Sequence, residues 1–356
     1  MNQLEKARQT IDQIDEEMAS LYERRMDAVK EVLAYKKENG LPVFDETREQ
    51  AVIDKNSARI QNPEYQEFYK DFLKKLMNNS KDYQRTLLSQ HVIAYAGVQG
   101  AFSQIAAARL FPNDQKLNFK NFEEVFKAVV DKRAEWGVIP FENTNSGLVG
   151  EVLDALLEYP VYIQEVYDLK VEQCLLGIPG ATLKDVEWVY SKDQALMQSR
   201  DFLKQLGVQT ISYPNTAMAA QYVASQNDKT KAAIGAKENA QLYGLEILAS
   251  QIEAHTENTT RFLVIGLQPK TSGNRSSVLL TVQHTSGSLA KIIEVIARHH
   301  INMESIQSRP IKGRPFEYFF FVEMDGDATQ VQACIEDMKE NCESIKSLGT
   351  YSLGGQ

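Results

Sequence analysis

The sequence has few cysteines and no long apolar run. Cys174, Cys334 and Cys342 follow no metal-ligand spacing and form an odd number, which favours reduced thiols over a disulfide framework. No stretch of about 18 apolar residues occurs, so we expect no membrane span. The first residues lack the apolar segment of a signal peptide. We therefore expect a cytoplasmic protein without a membrane partner.

A surplus of positive charge is also missing. The formal net charge of the 356 residues is −9, which disfavours a nucleic-acid partner. The histidines are scattered, and the pair His299–His300 is interpreted as a surface feature at a helix end. We expect no metal and no redox cofactor. The chain does have 43% apolar residues, enough for two or three domains with separate cores.

Residues 1–90 show helical periodicity and no strand pattern. Apolar residues recur at steps of three and four from Leu4 to Leu21 and again further on, which predicts one helix with a long apolar seam. Gly40 and Pro42 should end it. Such a helix would be about 55 Å long, too long to fold back within a small bundle, so we expect a partner chain. Two more helices are predicted, from about 45–47 to 60 and from about 64 to 88.

The rest of the chain predicts two further domains. Between 92 and 266 apolar runs alternate with amphipathic stretches, which indicates an α/β domain in two lobes. A polar linker follows at 268–275, and beyond it the pattern reads βαββαβ, a ferredoxin-like order. The predicted domains are 1–90, 91–268 and 276–356. Strands of the α/β domain are predicted at 92–96, 136–140, 186–190, 208–213, 232–235 and 262–266.

Small polar residues gather next to three of these strands. Glu142–Gly147 follows one strand, Gly97–Ser103 follows another, and Thr259–Arg261 abuts a third. Such groups at a strand end are typical of a small-molecule site at the edge of a parallel sheet. Each segment taken singly is equally consistent with a tight turn, a loop or a helix cap.

Two cations interrupt the apolar seam of the first helix. Arg25 and Lys36 lie on the face that otherwise carries apolar residues, and Arg48 follows in the next helix. A buried cation is costly unless it meets an anion, although its stem can pack while its head reaches water. Two cations on one seam favour a small dianionic ligand, since guanidinium groups match carboxylates.

The helical segment resembles the all-helical chorismate mutases, with spacings that hold without gaps from Arg8 to Glu49. The resemblance implies a pericyclic conversion of chorismate to prephenate, to which the protein contributes only positioning and charge stabilisation. The implied roles are contact with the breaking ether oxygen for Lys36 and Gln84, carboxylate binding for Arg8, Arg25 and Arg48, and hydroxyl binding or positioning of neighbours for Asp45 and Glu49, with Ser80 completing the site.

Helix geometry separates two of these arginines. Arg8 and Arg25 are 17 residues apart, hence about 25 Å along one helix. No small ligand touches both from one chain. If both bind substrate, Arg8 acts on the partner's site, and the mutase is an intertwined homodimer or part of a higher homo-oligomer.

The middle segment resembles the prephenate dehydratases through four motifs in the family's order, at residues 97–103, 142–147, 190–198 and 259–262. The resemblance implies conversion of prephenate to phenylpyruvate, in which Thr260 delivers a proton to the leaving hydroxyl or orients the donor. Arg261 binds a carboxylate or forms a structural ion pair. Lys192 and Asp193 stand where a His-Pro pair is more usual. The implied substrate-binding residues are Ser103, Asn143, Thr144, Ser146, Gly147, Ser191, Gln194, Gln198, Thr260, Arg261 and Phe262.

The last segment resembles the phenylalanine-binding ACT domains that are attached to prephenate dehydratases. The resemblance implies phenylalanine as an effector bound between two such domains. Gln307 stands where the family usually has glutamate, and a purely structural dimerising domain is the alternative. The implied effector-binding residues are Gly287, Ser288, Leu289, Ala290, Asn302, Met303, Gln307, Ser308, Arg309 and Pro310.

These resemblances predict a multidomain enzyme: a helical mutase, a two-lobed α/β dehydratase and a ferredoxin-like ACT domain, feedback-controlled by phenylalanine. Two alternatives stay open, a dehydratase that acts on arogenate and a ligand-sensing scaffold with degenerate sites. The cationic set of the helices and Thr260 argue against the scaffold. A prephenate dehydrogenase is disfavoured because the glycine fingerprint of a dinucleotide site is missing.

Overall fold

The computed structural model describes residues 2–38, 46–88, 91–254, 257–326 and 328–352. The chain forms two compact units. The first comprises Met1–Gln90 with Asn113–Gln115, and the second comprises His91–Pro112 with Lys116–Gln356. Within the described ranges no helix is long and apolar enough to cross a membrane.

The first unit consists of three helices, as predicted. Asn62 caps the third, because its side-chain oxygen accepts from the amide of Glu64 at 3.0 Å and proline occupies the first helical position. Leu33, Ile53 and Leu73 are buried between the helices. The helices are α1 (Gln3–Glu38), α2 (Glu46–Ser57) and α3 (Pro63–Leu88).

The N-terminal half of α1 keeps its apolar seam exposed. The side chains of the seam are between 45% and 58% exposed. Among the described residues, nothing in this unit covers them. The exposed seam residues are Leu4, Ile11, Ile14, Met18 and Leu21.

The α/β part of the second unit has two sheets, as the two-lobed prediction requires. The first lobe contains β1 (Val92–Ala96), α4 (Phe102–Leu110), β2 (Gln115–Phe119), α5 (Phe122–Val130), β3 (Trp136–Asn143), β4 (Gly147–Leu148), α6 (Gly150–Glu158) and β5 (Tyr162–Lys170). The second lobe contains β6 (Cys174–Gly177), β7 (Trp188–Ser191), α7 (Asp193–Gln198), α8 (Arg200–Leu206), β8 (Gln209–Ser212), α9 (Thr216–Gln226), β9 (Lys231–Gly235), α10 (Glu238–Tyr243) and β10 (Glu246–Ala249). The chain then returns to the first lobe as β11 (Thr259–Gly266).

The first sheet is mixed, which corrects the expectation of a parallel one. Its order is β2-β1-β3-β11-β5, with β4 on β3; β1 and β3 are parallel, whereas β11 runs antiparallel to both neighbours. The antiparallel direction brings the start of β11 to the end of β3, so that Thr260 lies opposite Asn143. Two polar segments that are distant in sequence therefore meet at one sheet edge.

The second sheet has the order β10-β6-β9-β7-β8. The lobes are joined by the short segment 171–173 on one side and by the segment between β10 and β11 on the other. Gly207 and Gly244 end α8 and α10 in the left-handed conformation, the usual role of glycine at a helix C-terminus. This lobe has its own core, which includes Leu176, Ala220 and Ala233.

The last part of the chain has the predicted βαββαβ order. Its strands form an antiparallel sheet in the order β13-β14-β12-β15. Phe319 and Phe321 share a core with Ile139 and Phe141 of the first lobe, and the rings of Phe141 and Phe321 lie 5.1 Å apart. The elements are β12 (Arg275–Thr281), α11 (Ser288–Arg298), β13 (Asn302–Pro310), β14 (Tyr318–Asp325), α12 (Ala328–Lys339) and β15 (Ser344–Tyr351).

Candidate active sites and effector cavity

Arg25 and Ser80 form the centre of a polar cluster in the helical unit. The guanidinium of Arg25 donates to Oγ of Ser80, which in turn donates to the carbonyl oxygen of Leu76 at 2.8 Å. Burial lowers the pKa of Arg25, although it stays far above neutral pH as for any guanidinium. Gln84 is buried one turn further along α3, with Nε2 3.5 Å from the carbonyl oxygen of Val29. The helices thus hold a cation and a carboxamide together.

A second pair joins α2 to α3. Nζ of Lys81 lies 2.6 Å from Oε2 of Glu49, and both side chains are about one-quarter exposed. Glu49 was predicted from the sequence but Lys81 was not, since its only signal is its place between Ser80 and Gln84. This ion pair places Glu49 beside the polar cluster of α3.

The other predicted mutase residues occupy different surroundings. Lys36 is partly buried at the end of α1, whereas Arg48 at the start of α2 and Arg8 near the N-terminus of α1 are exposed. Asp45 lies outside the described residues. One chain therefore gathers Arg25, Ser80 and Gln84 but leaves Arg8 apart from them, as the length of α1 requires.

The dehydratase motifs meet in a cleft of about 290 Å³. Asn143 organises it, because Nδ2 donates to Oγ1 of Thr260 at 2.9 Å and to Oδ1 of Asn258 at 2.8 Å. Its Oδ1 accepts from the backbone amides of Asn145 and Ser146 at 3.0 and 3.2 Å. The described lining residues are Ala101, Phe102, Ser103, Phe122, Pro140, Asn143, Ser146, Val149, Val171, Gln173, Lys192, Gln194, Ala195, Gln198, Asn215, Thr216, Asn258, Thr260 and Phe262.

The bond from Asn143 fixes what the hydroxyl of Thr260 can do. A hydroxyl has one donor hydrogen and two acceptor lone pairs, and Asn143 uses one of the lone pairs. The proton of Thr260 is therefore left to donate, and Thr260 lines the cleft. The cleft therefore contains a neutral proton donor. Its described lining residues include no histidine or cysteine that could act as a nucleophile.

Two hydrogen bonds cross the cleft from the second lobe. Nε2 of Gln194 donates to Oγ of Ser146 at 3.1 Å, and Oε1 of Gln198 accepts from Nδ2 of Asn258 at 3.2 Å. Asn258, which was not predicted from the sequence, is buried and links Asn143 to the second lobe. Its signal was its position directly before the two threonines that open β11.

Four predicted dehydratase residues do not line the cleft. Ser191 is fully buried, and its hydroxyl donates to a carbonyl oxygen of β9 at 2.8 Å. Nε of Arg261 lies 2.9 Å from Oδ1 of Asp168, and this hydrogen bond raises the pKa of Arg261. Arg261 thus forms the structural ion pair that the sequence left as an alternative. Thr144 and Gly147 also lie off the described lining.

A larger cavity of about 850 Å³ lies in the last part of the chain. It is bounded by the loop between β12 and α11 and by the strands β13 and β14, and Ser288, Leu289 and Ser308 line it. Three charged residues that were not predicted from the sequence also line it, Arg314, Glu317 and Glu343. The predicted effector residues that are not on the described lining are Gly287, Ala290, Asn302, Met303, Gln307, Arg309 and Pro310.

Comparison with known proteins places these sites in a family. Three family models match in succession: chorismate mutase type II over residues 7–85, prephenate dehydratase over 93–270 and the ACT domain over 276–341. A bifunctional chorismate mutase/prephenate dehydratase of Aquifex aeolicus is 31% identical, over 99% of this chain and 98% of the relative.

Two further relatives each match about three-quarters of the chain. Arogenate dehydratase/prephenate dehydratase 1 of Arabidopsis thaliana is 33% identical over 73% of this chain and 72% of that protein. The crystal structure of the prephenate dehydratase of Staphylococcus aureus has a TM-score of 0.65 at 27% identity, covering 73% of this chain and 99% of that one. This chain therefore belongs to the family of bifunctional chorismate mutase/prephenate dehydratases with a C-terminal ACT domain.

Proposed function

We infer that this chain catalyses two successive reactions, the rearrangement of chorismate to prephenate and the conversion of prephenate to phenylpyruvate. The observation that carries the second reaction is the hydrogen bond from Asn143 to Thr260 in a cleft lined by neutral polar groups from both lobes. The cationic cluster around Arg25 supports the first reaction. Because the chain belongs to the bifunctional family, we infer both activities together.

The mutase site contributes positioning and charge. The rearrangement breaks an ether carbon–oxygen bond and forms a carbon–carbon bond within one molecule, so no proton or nucleophile is needed. Arg25, held by Ser80, binds a substrate carboxylate, and Gln84 with Lys36 stabilises charge on the ether oxygen. Arg48, Glu49 and Asp45 complete the contacts that the family pattern implies.

We propose that the functional mutase is an intertwined homodimer. The exposed seam of α1 supports this, because five large apolar side chains on one helix face are costly to leave in water. The distance of about 25 Å between Arg8 and Arg25 also supports it, since only the partner's site can use Arg8. The alternative of a higher homo-oligomer follows if the last domain pairs as well.

The dehydratase reaction balances with one proton consumed. The bond from the ring carbon to the hydroxyl breaks, and the protonated hydroxyl leaves as water. The bond from the ring to its carboxylate also breaks, and the carboxylate leaves as carbon dioxide. The electron pair of that second bond completes the aromatic ring. Thr260 protonates the departing hydroxyl or orients the donor that does so. Asn143, Ser146, Gln194 and Gln198 orient the ring hydroxyl and the carboxylates.

We propose that phenylalanine binds in the cavity beside Ser288 and Ser308 and lowers the dehydratase rate. Its volume of about 850 Å³ exceeds what one amino acid needs, consistent with a second domain entering it.

The proposed domains are 1–90, 91–268 and 276–356. The proposed compartment is the cytoplasm, supported by three free cysteines in the described chain.

Steady-state turnover of the purified protein on chorismate and, separately, on prephenate tests the inference, with and without phenylalanine. Formation of phenylpyruvate from both substrates, reduced by phenylalanine, is the expected result. Activity on prephenate alone would remove the mutase assignment. Faster turnover of arogenate than of prephenate would favour the arogenate alternative, and no turnover of any of the three would favour a ligand-sensing scaffold.

A further inference from the structure

Lys192 is the one formally charged residue among the described residues that line the dehydratase cleft. Its other described lining residues are apolar or neutral and polar. Lys192 is exposed, and within the described chain its ammonium forms no ion pair or hydrogen bond. A cation without a partner at the edge of an otherwise neutral cleft attracts an anionic ligand.

The other cation of the dehydratase motifs is already neutralised. Arg261 forms two hydrogen bonds to Asp168, at 2.9 and 3.1 Å, and lies off the described lining. Prephenate carries two carboxylates and therefore arrives as a dianion. Lys192 is consequently the residue of the described lining that supplies a full positive charge to it.

The segment around Lys192 is held over the cleft. Lys192 directly precedes α7, and Gln194 in the first turn of that helix donates to Ser146 of the other lobe at 3.1 Å. The neighbouring Asp193 is exposed and does not line the cleft. Lys192, rather than its acidic neighbour, therefore lines the cleft.

The chemistry of the reaction indicates which carboxylate Lys192 binds. The ring carboxylate loses its charge as it leaves as carbon dioxide, so a cation there would stabilise the ground state more than the transition state. The side-chain carboxylate keeps its charge from substrate to product. A cation bound to the side-chain carboxylate lowers KM without opposing the chemical step.

We propose that Lys192 binds the side-chain carboxylate of the substrate and makes the dehydratase prefer prephenate to arogenate. Arogenate carries an ammonium group next to that carboxylate, where prephenate carries a ketone. The ammonium reduces the net charge from −2 to −1 and repels Lys192 at short range. The proposal rests on the proposed dehydratase function and adds its substrate preference.

The test compares kcat/KM for prephenate and arogenate in the wild type and in Lys192→Gln, Lys192→Arg and Lys204→Gln. Lys204 is an exposed lysine of α8 in the same lobe, off the described lining, so its variant controls for the change in net charge. We expect Lys192→Gln to lower kcat/KM for prephenate about tenfold, mainly through KM, which is the size of one charge-assisted contact. For arogenate we expect a smaller loss. Lys192→Arg and Lys204→Gln should keep the wild-type preference.

Two further measurements distinguish the effect of the Lys192 charge from a general disturbance of the cleft. Raising the salt concentration should reduce kcat/KM for prephenate in the wild type and much less in Lys192→Gln, because salt screens an exposed charge. Inhibition by the product phenylpyruvate, which keeps the same side chain, should weaken in Lys192→Gln. An unchanged prephenate-to-arogenate ratio in Lys192→Gln would overturn the proposal. A wild type that converts neither substrate would instead overturn the dehydratase function.

Discussion

Arg309 and Asp154 form a two-point ion pair between β13 of the last domain and α6 of the first lobe. Nη2 of Arg309 lies 2.7 Å from Oδ2 of Asp154, and Nε donates to Oδ1. Nζ of Lys312 lies 3.1 Å from the same carboxylate, which is only 10% exposed. A Cβ at position 150 would overlap the Arg309 guanidinium, so a larger residue there would displace that group. Arg309, which the resemblance assigns to effector binding, thus joins the last domain to the first lobe.

A third cation of the last domain holds the other end of α6. Nζ of Lys346 donates to the carbonyl oxygen of Leu156 at 2.6 Å and to that of Tyr159. Cations at a helix C-terminus satisfy its unpaired carbonyl groups. Because Val149 directly precedes α6 and lines the cleft, while Ser308 directly precedes Arg309 and lines the cavity, α6 connects the two sites physically.

Replacing Asp154 by asparagine should destabilise this junction in a pH-dependent way. The hydrogen bond from Arg309 lowers the pKa of Asp154 below its ordinary value. A depressed pKa stabilises the fold above the unfolded pKa of about 3.9, and this is lost as the pH falls through the lower folded pKa. We expect Asp154→Asn to lower the calorimetric Tm by about 4 °C at pH 7 and by less below pH 4. Glu336→Gln, which breaks an exposed pair with Lys339, is the control and should change Tm little at either pH. Equal losses at both pH values would contradict the ion-pair explanation.

Replacing Arg309 by glutamine should weaken feedback without preventing effector binding. The side chain lies off the described cavity lining, so phenylalanine should still bind in calorimetry. Inhibition of the dehydratase by phenylalanine should weaken several-fold, because the link from the cavity to α6 is lost. Lys291→Gln is a matched control, since Lys291 is an exposed cation of α11 in the same domain. Unchanged inhibition in Arg309→Gln would remove α6 from the coupling.

Replacing Arg25 by alanine should abolish the mutase and leave the dehydratase intact. Arg25 is partly buried and holds Ser80, whereas its neighbour Arg24 is exposed. We expect at least a hundredfold loss of turnover on chorismate in Arg25→Ala and little change in Arg24→Ala, since a carboxylate-binding fork supplies several kcal/mol. Turnover on prephenate should be the same in both variants. Loss of both activities in a folded Arg25→Ala protein would contradict two separate sites.

Strongly periodic elements could be predicted from the sequence, and elements without a pattern could not. Helix α1 was predicted from the helical periodicity of its apolar residues. The order of the last domain was predicted from the alternation of strand and helix patterns. The strand β2 (Gln115–Phe119) has no continuous apolar run, so it gave no usable signal. The parallel sheet was expected because the antiparallel direction of β11 depends on a return through the whole second lobe.

The sites were predictable where function resides in a local motif. Asn143 and Thr260 were identified by their segments, but their hydrogen bond depends on strand register. The partners Asn258 and Lys81 are single polar residues whose roles arise only when distant elements pack. The ion pair of Arg309 could not be predicted for the same reason, since its partner Asp154 lies 155 positions away in sequence.

Replacing Thr260 by valine tests the proton donor with almost no change in side-chain volume. Asn143 retains Oδ1 of Asn258 and the carbonyl oxygen of Thr259 as acceptors, so the variant should fold. We expect a loss of about 10²–10⁴ in kcat on prephenate, the range for a positioned acid, while turnover on chorismate stays unchanged. Thr260→Ser, which restores the hydroxyl, should recover most of the rate, and Thr259→Val is the neighbouring control with little effect. If Thr260→Val kept its kcat on prephenate, the proton would have to come from another group or from water, and Thr260 would only shape the cleft.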